Sequence, residues 1–83
     1  MSKNKKTVGE LLRDYKRINT DYQIAREIEC SVSDFYMQIN TDLGKELNDD
    51  LANAMELTAK ISNYLYSEGM KVGNELTKAI NKR

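Results

Sequence analysis

With 83 residues, the chain makes one domain with a small core and a thin stability margin. Charged residues make up 31% and apolar residues 40%, a globular rather than disordered balance, and the formal net charge is zero. There is no histidine and one cysteine, Cys30. A zinc site or a Ser/His/Asp arrangement therefore has almost nothing to build from, and no internal disulfide can form.

The lone cysteine fits a reducing, cytoplasmic setting. No apolar run is long enough to span a membrane, so no membrane partner is expected. The opening MSKNKKTVGE is basic but has no apolar stretch behind it, which argues against secretion. The carboxylates are scattered over helix surfaces, with no pair set in an apolar pocket. The chain is thus not expected to be an enzyme, and no cofactor is implied.

Charge is segregated along the chain. Residues 1–20 hold six bases against two acids, a net of +4; residues 21–60 hold three bases against nine acids, a net of −6. Residues 61–83 hold four bases against two acids, a net of +2. Basic ends flank an acidic middle.

In chain order, residues 1–6 form a basic flexible tail, whose lysines are candidates to meet phosphates. Val8, Leu11, Leu12, Tyr15 and Ile18 make one apolar stripe and predict a first helix over residues 7–18. Thr7 is its N-cap, and Glu10 completes a capping box. Thr20 and Asp21 offer caps for a second helix to about Glu29, with Ile24, Ala25 and Ile28 inward. Cys30 reads as a small buried apolar plug.

Ser31 or Ser33 caps a third helix carrying Val32, Phe35, Tyr36 and Ile39. Residues 40–47 form a loop with Gly44 as turn residue. Asn48 or Asp49 opens a fourth helix with Leu51, Ala54, Met55 and Thr58 on one face. From Ile61 a long amphipathic helix runs to about Ala79, broken from the fourth at Ser62-Asn63. Gly69 and Gly73 lie on one face of it. Each glycine costs about 1 kcal/mol against alanine inside a helix, and close approach of another helix to that face is the expected return. With Tyr64, Tyr66 and Met70 nearby, this last helix is expected to be a self-association surface.

The stretch TDYQIAREIECSVSDFYMQIN, residues 20–40, resembles the helix-turn-helix of the Cro/C1-type (XRE-like) family of small phage and mobile-element repressors, over about residues 7–61. Ile24-Ala25-x-x-Ile28 matches the family's second-helix core. Cys30 and Ser31 stand where the family has a small apolar residue and a capping serine, and Phe35 where it has an inward residue of the recognition helix. Gly44 and the stretch from Asp50 to Met55 echo its glycine and fourth helix. Three departures stand out. Glu29 replaces the family's turn glycine, Asp21 replaces a phosphate-meeting glutamine, and the family's next inward position of the third helix falls on Gln38, whereas the apolar residue here is Ile39.

The fold expected is all-α, four to five helices with a helix-turn-helix core and a long amphipathic carboxy-terminal helix. Its divisions are a tail over 1–6, the helix-turn-helix domain over 7–61 and a dimerisation helix over 62–83. The resemblance implies a small dimeric transcriptional regulator that binds double-stranded DNA. Its DNA contacts would be Ser31, Ser33, Met37, Gln38, Asn40, Lys45, Lys5 and Lys6, and its homodimer contacts Leu65, Gly69, Val72, Gly73, Leu76 and Ile80. The alternative is a protein-binding inhibitor or adaptor that presents the acidic middle to a basic surface of a host protein.

Overall fold

The computed structural model of the chain describes residues 6–82. The basic tail and its candidate contact Lys5 lie outside them, Lys6 excepted. Two helices account for nearly everything described: α1, Val8–Gln38, and α2, Lys45–Asn81, folded back on one another. The expectation of four to five helices around a helix-turn-helix is thus overturned. The chain is all-helical, but residues 20–40 hold no turn, and α2 passes through Ser62-Asn63 without a break.

The physical reason lies in what is missing between Glu10 and Leu43: no glycine and no proline. A helix-turn-helix needs a residue that leaves the right-handed region, and Glu29 adopts a left-handed backbone only at a cost. Polar caps such as Asp21 and Ser31 favour a helix start but do not break a helix already running. Continuing one hydrogen-bond ladder is therefore cheaper than interrupting it twice.

The start of α1 is as expected. The Thr7 side chain accepts from the Glu10 N–H at 3.1 Å, and the Thr7 N–H donates to the Glu10 carboxylate at 3.0 Å. Gly44 supplies the turn: it has φ +89°, the one positive φ among the described residues, and precedes the first residue of α2. The Gly44 N–H donates to Asp42 Oδ1 at 2.9 Å, which closes the loop locally.

The two helices meet along a seam that repeats every seven residues. On α1 it runs through Leu11, Ile18, Ala25 and Val32, alternating with Val8, Tyr15, Tyr22, Glu29 and Tyr36. On α2 it runs through Leu51, Thr58, Leu65, Val72 and Ala79, alternating with Met55, Ser62, Gly69 and Leu76. Leu11 and Ile18 are the buried apolar residues, and Ser62 is the buried polar one. Tyr22 and Tyr66 rings lie 5.9 Å apart across the hairpin.

The glycines of α2 give the seam its closest approach. A Cβ on Gly69 would stand 3.6 Å from Ile18 Cγ2, and one on Gly73 would stand 3.4 Å from Tyr15 Cε1. Both distances are ordinary contact, so alanine fits where leucine does not. Gly69→Ala is expected to raise stability by about 0.5–1 kcal/mol through helix propensity. Gly69→Leu is expected to lower it by about 1–3 kcal/mol through overpacking. Paired urea melts check both, and a loss in the alanine variant would place α1 nearer to α2 than these distances allow.

Ser62 is 2% exposed and its Oγ has no hydrogen-bond partner. One turn earlier, Thr58 Oγ1 donates to the Ala54 carbonyl at 2.9 Å and sits close to that of Met55 as well. A buried hydroxyl without a partner costs about 1–3 kcal/mol. Ser62→Ala removes it and favours the helix, so a gain of about 1 kcal/mol is expected, read as a rise of roughly 4–8 °C in Tm. An unchanged or lower Tm would mean that the hydroxyl is satisfied in solution.

Candidate functional site

A two-helix hairpin has only one seam, and this chain carries more large apolar residues than one seam covers. The Cα positions span 59 × 23 × 13 Å, one layer of helices thick. The radius of gyration is 18.2 Å, against about 12 Å for a compact domain of this length. The accessible surface is 6609 Å², where a compact monomer of this mass exposes about 5,100 Å².

Much of that apolar excess gathers on one face. Ile24 and Ile28 of α1, with Ile61 and Leu65 of α2, line a groove of about 190 Å³ together with Asp21, Ala25 and Thr58. Ile24 is 50% exposed and Ile61 45%. Phe35 lies two turns beyond Ile28 on α1, and Leu57 lies one turn before Ile61 on α2. Both are exposed and extend the face toward the loop. The groove sits near the middle of both helices. Contiguous apolar surface of this kind on a small protein marks an association site.

Sequence patterning placed Ile24, Ile28 and Phe35 inward, but against helices that do not form. The signal that finds the face is surplus. Beside the seven-residue seam, Ile28, Phe35 and Ile61 occupy flanking positions where a simple helix pair carries charge, and Ile24 and Leu57 lie next to them on the outer side.

The two sets of candidate residues are placed as follows. Ser31, Met37, Gln38 and Asn40 are exposed at the end of α1 and in the loop, and Lys45 is exposed at the start of α2. Ser33 is half-buried beside Ala52 and Met55. No separate helix presents them. Lys45 pairs with Asp49 at 3.2 Å, and Lys6 lies at the opposite end of the molecule, paired with Asp14. The structure therefore does not bring the lysines and the polar residues of 31–40 together. Of the dimerisation set, Leu65, Gly69, Val72, Gly73 and Leu76 are half-buried on the α1-facing side of α2, and Ile80 is exposed. The close approach to Gly69 and Gly73 is made by the chain's own first helix.

Folding the chain in half turns its charge pattern into two ends. The start of α1 and the end of α2, each with a surplus of bases, come together at the open end, and the −6 segment, residues 21–60, forms the loop half. Asp14 at the open end accepts a hydrogen bond from the Lys6 ammonium and has Arg17 Nη1 at 3.7 Å. The Lys6 hydrogen bond holds the Asp14 carboxyl below the usual carboxylate range; partial burial opposes this, and the charges of Lys6, Arg17 and Arg13 add to it. A lowered pKa contributes stability above the unfolded value near 4, lost as pH falls through the folded value. Asp14→Asn is expected to flatten that acid-side loss, checked by thermal melts between about pH 2 and 5. An unchanged acid limb would show the pair to be open in solution.

Among the described residues no group of three His, Cys, Asp or Glu is placed to hold a metal ion, and no helix is long and apolar enough to cross a membrane. Comparison with protein-family models, with curated proteins and with solved structures finds no match to this chain.

Proposed function

We propose that the chain works by protein–protein association: a helical hairpin that docks its Ile24–Ile28–Ile61 face against other helices. The observation that carries this reading is the one-layer hairpin with an apolar groove on its flank. Burying large apolar side chains of this kind yields roughly 1.5–3 kcal/mol each, so a helical partner has much to gain there. The reading belongs to the adaptor or inhibitor class rather than to the DNA-binding one. Residues 31–40 are the last turns of a long helix and its loop, at the acidic end of the molecule. That end repels phosphate, the main source of non-specific DNA affinity.

A photo-crosslinking side chain placed at Ile61, compared with one at Asn63, tests this in living cells. Strong protein adducts at 61, absent at 63, are the expected result. Equal background at both positions would overturn the reading, and tight salt-sensitive binding of duplex DNA by the purified chain would replace it.

A further inference from the structure

The occupant of the groove can be chosen from the chain's own charge and area. We infer that it is a second copy of this chain, laid antiparallel across the groove about a two-fold axis. This inference rests on reading that face as a docking surface.

A groove at the middle of a rod meets its own copy when two rods are related by a two-fold axis through it, and one patch then serves both sides. Charge favours the same arrangement. The loop half, residues 21–60, carries −6, and the described residues of the other half, 6–20 and 61–82, carry +3. Parallel copies would set acid on acid along half their length. Antiparallel copies set each acidic loop half beside the partner's basic half, within reach of charges screened over about 8–10 Å. Among the described residues, Asp21, Glu27, Asp34 and Asp50 make no ion pair within the chain, so the loop half keeps free acid for such a neighbour.

Two separate hairpins expose about 13,200 Å², whereas one compact protein of the combined mass exposes about 8,400 Å². Closing that difference buries about 4,800 Å², within the range of obligate homodimers. The arrangement is a four-helix bundle, which gives Ile24, Ile28 and Ile61 the second layer that the hairpin lacks.

The experiment is sedimentation equilibrium of the purified full chain across a salt series, with distances between spin labels. The chain has a mass of 9.6 kDa, and a dimer has about 19 kDa. Raising NaCl from about 20 to 300 mM is expected to weaken the dimer several-fold; a parallel dimer would tighten. A label on Thr41→Cys in a Cys30→Ser background reports the loop tips. Thr41 lies about 16 residues along α1 and the loop from the groove centre, roughly 25 Å, so antiparallel tips stand about 50 Å apart. Ile24→Glu with Ile61→Glu is expected to shift the mass to that of the monomer. Because pairing and folding are coupled in such dimers, helicity that falls on dilution supports the inference equally.

A folded monomer at about 100 µM, tips closer than about 25 Å, or a tighter dimer at higher salt overturns it. A monomer that still gives adducts to another protein from position 61 defeats the second copy and leaves the docking face standing. A monomer without such adducts defeats both.

Discussion

Ile18→Ala is expected to lower the unfolding free energy by about 2–4 kcal/mol, a large part of what a chain of this length has to lose. Ile18 is 8% exposed and touches the glycine face of α2, with its Cγ2 3.6 Å from where a Gly69 Cβ would lie. Truncation removes three carbons from the closest part of the seam, opposite a residue that has no side chain to move into the gap. A thin hairpin relaxes more readily than a deep core, which keeps the loss below the top of the range known for isoleucine-to-alanine changes.

Urea melts give the loss, with Leu12→Ala as the control. Leu12 is 41% exposed on the same helix, and its truncation is expected to cost under about 1 kcal/mol. The double variant Ile18→Ala with Gly69→Ala sharpens the test. The alanine at 69 refills part of the gap, so the two changes together are expected to cost less than their sum by about 0.5–1 kcal/mol. Strict additivity would mean that residues 18 and 69 do not touch, and the register of the hairpin would have to be redrawn.

What was legible in the sequence, and what was not, follows from the same residues. The all-helical class, the capping box of Thr7 and Glu10, the turn at Gly44 and the close approach to Gly69 and Gly73 are all local signals, and each is found. The number of helices is not local. Asp21, Ser31 and Ser33 have the chemistry of caps, and the spacing of Ile24, Ala25 and Ile28 is that of a short helix. No residue among them can stop a helix, however, so the two expected starts fall inside one continuous ladder. The repeat that does describe the fold, seven residues long from Val8 to Tyr36 and from Leu51 to Ala79, is blurred by Glu29, Thr58, Ser62 and Gly69, which are poor seam residues. These same residues leave the seam weak, which is why the apolar flank stands out only once the hairpin is built. The DNA-contact set does not gather into one patch, because it belongs to a separate third helix that this chain does not form, and five of the six dimerisation residues share the face of α2 that α1 covers.

Gly44→Ala is expected to cost about 1–3 kcal/mol although nothing surrounds the site. The backbone there has φ +89° and ψ 162°, a region that glycine alone enters freely. An added Cβ would meet no atom within 4 Å, so crowding plays no part and the whole cost is conformational. The loop has two ways to respond. It can keep its shape and bear the strain, or it can rotate Gly44 out of that region. The second way gives up the Asp42 bond to its N–H at 2.9 Å and disturbs the 3.0 Å bond from the Asn48 N–H to its carbonyl, which opens α2.

Either response is read as a lower Tm with an unchanged m-value in urea. A D-alanine at the same position, accessible by chemical synthesis of an 83-residue chain, separates conformation from every other effect. Its mirror-image preference accepts a positive φ, so it is expected to restore at least the wild-type stability. If L-alanine proves harmless, the loop does not use this turn, and the register that sets Gly69 against Ile18 and buries Ser62 loses its anchor. With the turn in place, each residue of slip between α1 and α2 carries the seam off its face, so one glycine backbone angle and one close helix contact fix the same alignment from opposite halves of the hairpin.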